Sequence, residues 1–195
     1  MSYTQKKWSN NKSVGLIVCC VLLFAAAGCK SVSIPLVRSE ADYENLPVES
    51  VSKAADFIEE QVREGNRTPE LMDEPDLVID TPEIKQALRS RAARAYLIEE
   101  LLDSGHMLEQ SDGKIAILRT AAYKASGSKR DKDRHAMIII SENRDRVIVY
   151  DSIRRSNDMS SAARSAIEEI FFSARKAYLS PGHKFRIDGG EVQVN

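Results

Sequence analysis

The chain has 195 residues, 43% hydrophobic and 29% charged, with a formal net charge of −1. That balance suits one globular domain with an attached segment and excludes a disordered or fibrous chain. Its three cysteines, Cys19, Cys20 and Cys29, all lie near the start, so no disulfide or cysteine-based metal site forms within the remainder.

The first 13 residues contain Lys6, Lys7 and Lys12 and no acid, and they lead into the apolar run Val14 to Gly28. That run is shorter than the roughly 20 residues a helix needs to span a bilayer core, and it ends in small residues that admit a peptidase. The pattern predicts a cleaved signal peptide over 1–28. The sequence "AAGC" at Ala26 to Cys29 resembles the lipobox of bacterial lipoproteins, with Ala26 where that pattern usually carries Leu. The resemblance implies diacylglycerol on the Cys29 sulfur, cleavage before Cys29 and acylation of the new N-terminus, a multi-chain anchor. An uncleaved anchor helix and a plain secreted protein are the alternatives. Lys30, rather than Asp, after the cysteine fits an outer-membrane destination by analogy with lipoprotein sorting.

Beyond the cut, residues 29–80 carry 13 Asp and Glu against 5 Lys and Arg, whereas residues 81–195 carry 16 against 20. The two parts are complementary in charge; both read as solvated faces, or the acidic part folds back on the basic one, or each contacts something else. Residues 31–47, with Pro35 and Pro47, read as an extended tether. Val51, Ala55, Ile58 and Val62 then line one face of a helix over Val48 to Glu64, stopped by Gly65 and Asn66. An acidic linker with Pro69 and Pro75 follows. The next helix opens with Asp80 or Thr81 as N-cap and Pro82 at its first position, and closes at Gly105. Ile84, Leu88, Ala92, Ala95 and Leu102 form its buried stripe, with Lys85, Arg89, Arg91 and Arg94 assigned to the other faces.

"DG" at Asp112 and Gly113 signals a hairpin, and "DGG" near the C-terminus signals a second. Isolated hairpins are marginal, so both are expected to pack on helices or on one another. Between Ser128 and Arg155, the Ile- and Val-rich runs fit two strands, yet Ile139, Asn143, Val147, Tyr150 and Arg154 also follow a helical period. Ile167, Ile170, Phe171, Ala174 and Tyr178 mark a last helix, ended by "SPG".

The succession "IDTPEIKQALRSRAAR", a "DG" turn, "SENRDRVIVYDSI" and "IEEIFFSARKAYLSPG" resembles the YdbL-like family of bacterial envelope proteins, over about Leu77 to Asn195. Thr81 to Ile84, the S-R-x-x-R at Ser90 to Arg94, and the E-N-x-D-R-x-x-x-Y at Glu142 to Tyr150 carry it most specifically. Its lipoprotein members also tend to have a V-x-I segment, here Val32 to Ile34, and a "KAAD-x-I" helix, here Lys53 to Ile58. The chain departs from the family at Leu108-Glu109, where a Gly-Glu pair is usual, and in lacking a Trp near the last glycines. The resemblance implies one long helix over Ser128 to Arg155. It also implies a helper role beside AsmA-like envelope lipid-transport proteins and their small lipoprotein partner.

Catalytic constellations are fragmentary. Ser173 and Lys176 form an S-x-x-K with no companion motif, and Asp131 with His135 lacks a third metal ligand. His106 and His183 sit at the mouths of the two hairpins. Glu142, Asn143, Asp145, Arg146 and Tyr150 are the candidate special cluster. Glu142 pairs internally with Arg146, and Asn143 needs a hydrogen-bond partner if buried; the set reads as a structural network or a partner-binding surface. Lys129, Arg130, Lys132 and Arg134 read as a solvated face or a contact for anionic lipid headgroups.

The sequence thus predicts an α+β fold, mainly α, with about four helices and two short β-hairpins. Its expected divisions are a signal peptide (1–28), a lipidated tether with one amphipathic helix (29–76) and a YdbL-like domain (77–195). The expected function is that of a non-enzymatic lipoprotein, attached to the membrane through Cys29 and facing the periplasm, with an AsmA-like envelope partner. No catalytic residue, metal, cofactor or nucleic-acid partner is expected. A lipid- or peptide-binding module using a groove at Ile117, Phe185 and Ile187, or a small envelope hydrolase, are the alternatives.

Overall fold

The apolar spacing from Val51 to Val62 produces the first helix of the computed structural model, which describes residues 41 and 43–195. The expected signal peptide, Cys29 and the Val32 to Ile34 segment lie outside the described residues. Helix α1 is Val48–Arg63, with Val51, Ala55, Ile58 and Val62 all buried. Helix α2 is Pro82–Asp103, capped by Thr81, whose Oγ1 accepts from the Ile84 N–H. The predicted hairpin follows as β1 (Met107–Gln110) and β2 (Ile115–Ile117), and a short helix α3 (Ala121–Ala125) that no sequence signal marked.

The ambiguous region is one helix, α4, Lys129–Ser156, as the family resemblance implies. Its start explains why helix prevails over strand propensity. Ser128 and Asp131 form a reciprocal capping box, and the inward positions Ile139, Val149 and Ile153 recur at helical spacing. Helix α5 is Ala163–Ala177, and the second hairpin is β3 (Lys184–Arg186) with β4 (Val192–Val194). The architecture is α+β and mainly α, with five helices among the described residues.

The two hairpins join through their first strands into one sheet of order β2-β1-β3-β4. The central β1–β3 pair is parallel, and the outer pairs are antiparallel. A parallel pair requires a long crossover, here supplied by α3, α4 and α5. Helix α2 packs chiefly on α4, and α1 on α5.

The apolar interior falls into two clusters. One joins α1 to the first half of α2, the end of α4 and α5; the other joins the end of α2 and the front of α4 to the sheet. Between them, on α2 from Leu88 to Ile98 and on α4 from Ile139 to Val149, the large buried side chains are charged, Arg91, Glu142 and Arg146, beside the small Ala92. That level is where the candidate site lies.

One reading changes. Arg91, assigned to a polar face of α2, is 1% exposed; three residues after Leu88, it lies within the buried stripe. The amphipathic helix expected before residue 77 packs into the core of the compact unit Ser39–Asn195. The acidic linker is also tied down. Leu71, Leu77 and Ile79 are buried, Asp73 accepts from the Ile79 and Asp80 N–H groups, and the Asn157 amide pairs with both backbone groups of Val78.

Candidate functional site

Six buried side chains, alternately Arg and Glu, close a ring of ion pairs between the two apolar clusters. Arg91 reaches Glu59 at 2.7 Å, and Glu59 meets Arg175 at 2.9 Å. Arg175 meets Glu109 at 3.1 Å, and Glu109 meets Arg146 at 2.7 Å. Arg146 meets Glu142 at 2.9 Å, and Glu142 returns to Arg91 at 2.9 Å. The members come from α1, α2, β1, α4 and α5, so the ring ties five elements together. Three positive and three negative charges cancel. Ions this deeply buried are tolerated only when each is paired and its remaining hydrogen-bonding capacity is used. The Arg91–Glu59 and Arg146–Glu109 contacts are bidentate forks, the strongest geometry available to these groups.

The ring has a neutral hub at the Gly113 carbonyl. It accepts from Tyr150 Oη at 2.9 Å, Arg175 at 3.1 Å and Arg146 at 3.3 Å, while Tyr150 Oη in turn accepts from Arg175. Gly113 is at φ +76°, and a Cβ there would lie 2.8 Å from the Tyr150 ring. Gly113→Ala is therefore expected to destabilise by about 1–3 kcal/mol through backbone strain alone, and by more through the displaced tyrosine. Urea unfolding of the purified protein checks this.

Burial alone would raise the Glu142 carboxyl, but Arg91 and Arg146 outweigh it and hold it well below the usual carboxylate range. Glu59 and Glu109 are lowered in the same way, against burial, by Arg91 with Arg175 and by Arg146 with Arg175. Burial raises the Tyr150 hydroxyl. Carboxylates held ionised so far from neutrality make poor proton shuttles, because general acids and bases work best with values near the operating pH.

A cleft of about 610 Å³ opens onto one side of the ring. Val62, Ala92, Ala95, Ile98, Leu102 and Leu179 are among its walls, and Tyr96 and Tyr178 stand at the mouth with Arg63 stacked 4.7 Å over the Tyr178 ring. All three arginines on its floor are already committed to ring carboxylates.

Four of the five residues of the candidate cluster join one network. Glu142 and Arg146 are ring members, Tyr150 holds the hub, and Asp145 takes Arg94, which also reaches Glu142. Asn143 finds its partner in β2: its amide donates to the Ile115 carbonyl and accepts from the Ile115 N–H, both at 2.9 Å. Asn143→Leu leaves both Ile115 groups unpaired and is expected to cost about 2 kcal/mol, read as a lower urea midpoint.

Glu59 and Arg175 are ring members that sequence reasoning did not single out, while Arg91 and Glu109 entered it through the family resemblance and not as candidate site residues. The available signal was helical spacing: Glu59 falls four after Ala55 and Arg175 four after Phe171, each on its helix's apolar stripe. No local pattern marked Glu109.

The other candidates turn to separate partners. Ser173 donates to the Glu169 carbonyl, while Lys176 lies 4.3 Å over the Phe185 ring. Asp131 is held by the capping box, and His106 packs edge-on to Tyr123. Phe185 is buried against Phe172 rather than lining a groove. His183, Asp103 and Glu99 gather ligand-type atoms within 4.8 Å of one another. The Ser180 N–H donates to His183 Nδ1 at 3.3 Å, and His183 Nε2 lies 2.8 Å from an Asp103 carboxylate oxygen, which clamps the C-terminal segment to the end of α2.

Set against models of known protein families, curated proteins and solved structures, the chain matches none of them.

Proposed function

We propose that this protein is a non-enzymatic, lipid-anchored component of the bacterial envelope. It is held by an acylated Cys29, faces the periplasm from the outer membrane, and acts as an accessory or chaperone-like partner of an AsmA-like lipid-transport system. The observation that carries the non-enzymatic part is the fate of the motif residues. Arg91, Arg94, Glu142, Asp145, Arg146 and Tyr150, which carry most of the YdbL-like resemblance, are committed to one network, and Asn143 to the Ile115 backbone. A motif consumed in this way specifies a scaffold rather than a reactive centre. The anchor rests on the basic start, the short apolar run and the "AAGC". No helix among the described residues is long and apolar enough to cross a membrane.

The test compares wild type with Cys29→Ser by intact mass and envelope fractionation, followed by crosslinking. Acyl chains on the wild type alone, membrane recovery lost in the variant and capture of an AsmA-like protein are the expected results. An unmodified protein in the soluble fraction overturns the anchor, and crosslinks that recover no such partner overturn the helper role.

The cleft over the ring favours a second reading, a binding module for a lipid or an extended peptide. Its apolar wall and aromatic mouth suit an elongated, partly apolar ligand. Native mass spectrometry of protein extracted from envelopes, with and without Ala95→Trp to fill the cleft, tests that reading.

A further inference from the structure

The front half of α4 turns an unusual face outward. Met137 and Ile140 are 61% and 60% exposed, although the opposite side of the same helix is buried at Ile139 and Glu142. At 100° per residue, Arg130, Arg134 and Arg144 fall on the same outward side, all exposed. Asp133 is the acid on that side. The charge is regional: from Lys114 to Ser141 the chain has seven Lys and Arg against two Asp, and Asp131, one of the two, is turned into the capping box.

Large apolar side chains standing in water among arginines suit one kind of surface. A lipid interface takes the apolar side chains into its headgroup boundary while anionic phosphates meet the guanidinium groups. A solvated helix face needs the arginines but not Met137 and Ile140, and an apolar protein contact needs the reverse. We propose that this face of α4 docks on an anionic phospholipid membrane, laying the domain against the bilayer rather than leaving it free on its tether. The proposal rests on the membrane-anchored reading above. It concerns orientation, which anchoring by Cys29 alone leaves open.

The test uses the mature full-length chain reconstituted in vesicles of phosphatidylcholine alone or with about a third phosphatidylglycerol. An environment-sensitive fluorophore is placed at Ile140→Cys, and in a separate sample at Met72→Cys, an exposed site away from both α4 and the cleft. The expected result is a blue shift at position 140 on the anionic vesicles only, no shift at position 72, and loss of the shift in Arg130→Glu/Arg134→Glu or in high salt. Equal shifts on both vesicle types, a shift at position 72 as large as at 140, or a probe that stays in water on anionic vesicles each overturn it. Intact mass of the same samples reports the acyl chains. If Cys29 proves unmodified, flotation of the soluble chain with the same vesicles reads the face by itself, so failure of the anchor and failure of the docking face are distinguished.

Discussion

Replacing Arg146 by methionine is expected to lower the unfolding free energy by about 3–5 kcal/mol, a large share of the roughly 5–15 kcal/mol that holds a domain of this kind. Methionine keeps most of the volume, so the loss is electrostatic. Glu109 loses its bidentate partner and Glu142 one of its guanidinium contacts, while the ring passes from neutral to net negative inside a low-dielectric core. Desolvating an ion pair costs nearly as much as the pair returns, so the penalty comes chiefly from orphaning the partners rather than from losing attraction as such. A sharper test follows from the alternation. Removing an adjacent pair, Arg146→Met with Glu109→Leu, leaves Arg175, Glu59, Arg91 and Glu142 as a neutral run of contacts. The double variant is expected to be more stable than Arg146→Met alone. Urea unfolding of the wild type, both singles and the double closes the thermodynamic cycle; additive losses would show that the ring does not act as a unit.

Stability is expected to hold a plateau across neutral pH and to fall on both sides, for different reasons. On the acid side, Glu59, Glu109 and Glu142 are lowered in the folded protein, so the unfolded chain binds more protons as the pH drops below the ordinary value of 4.5. Their contribution is complete above that value and is lost as pH falls toward the folded-state values. Each of the three adds at most about 1.4 kcal/mol per pH unit to the slope. On the alkaline side, Tyr150 is raised above its ordinary value of 10.0. Its neutral hydroxyl donates to Gly113, a contribution present below that value and lost as pH rises through the folded-state one. Thermal unfolding from pH 3 to pH 11 checks both limbs. Arg146→Met flattens the acid limb, because the carboxyls it leaves behind are held less far down, and Tyr150→Phe flattens the alkaline one. A wild-type acid limb no steeper than that of Arg146→Met would contradict the ring's role.

The sequence by itself determined much of what short-range chemistry controls: where α1 and α2 start and stop, which residues turn the hairpins, and the ion pair of Glu142 with Arg146, one helical turn apart. Thr81, Pro82 and Gly105 bound α2 as their types require, whereas α3 and the Ser128–Asp131 capping box that starts α4 were not read from it. Only the tertiary structure decided that the hairpins join as a parallel pair, that α1 belongs to the core, and that Arg91 faces inward. The physical reason is separation along the chain. Apart from Glu142 with Arg146, the ring's contacts join residues from 32 to 116 positions apart. No local rule says which distant carboxylate will neutralise a given arginine. A charged residue on an apolar stripe reads as a solvated one until packing from four other elements encloses it, and at that depth only a closed, neutral arrangement of partners is stable.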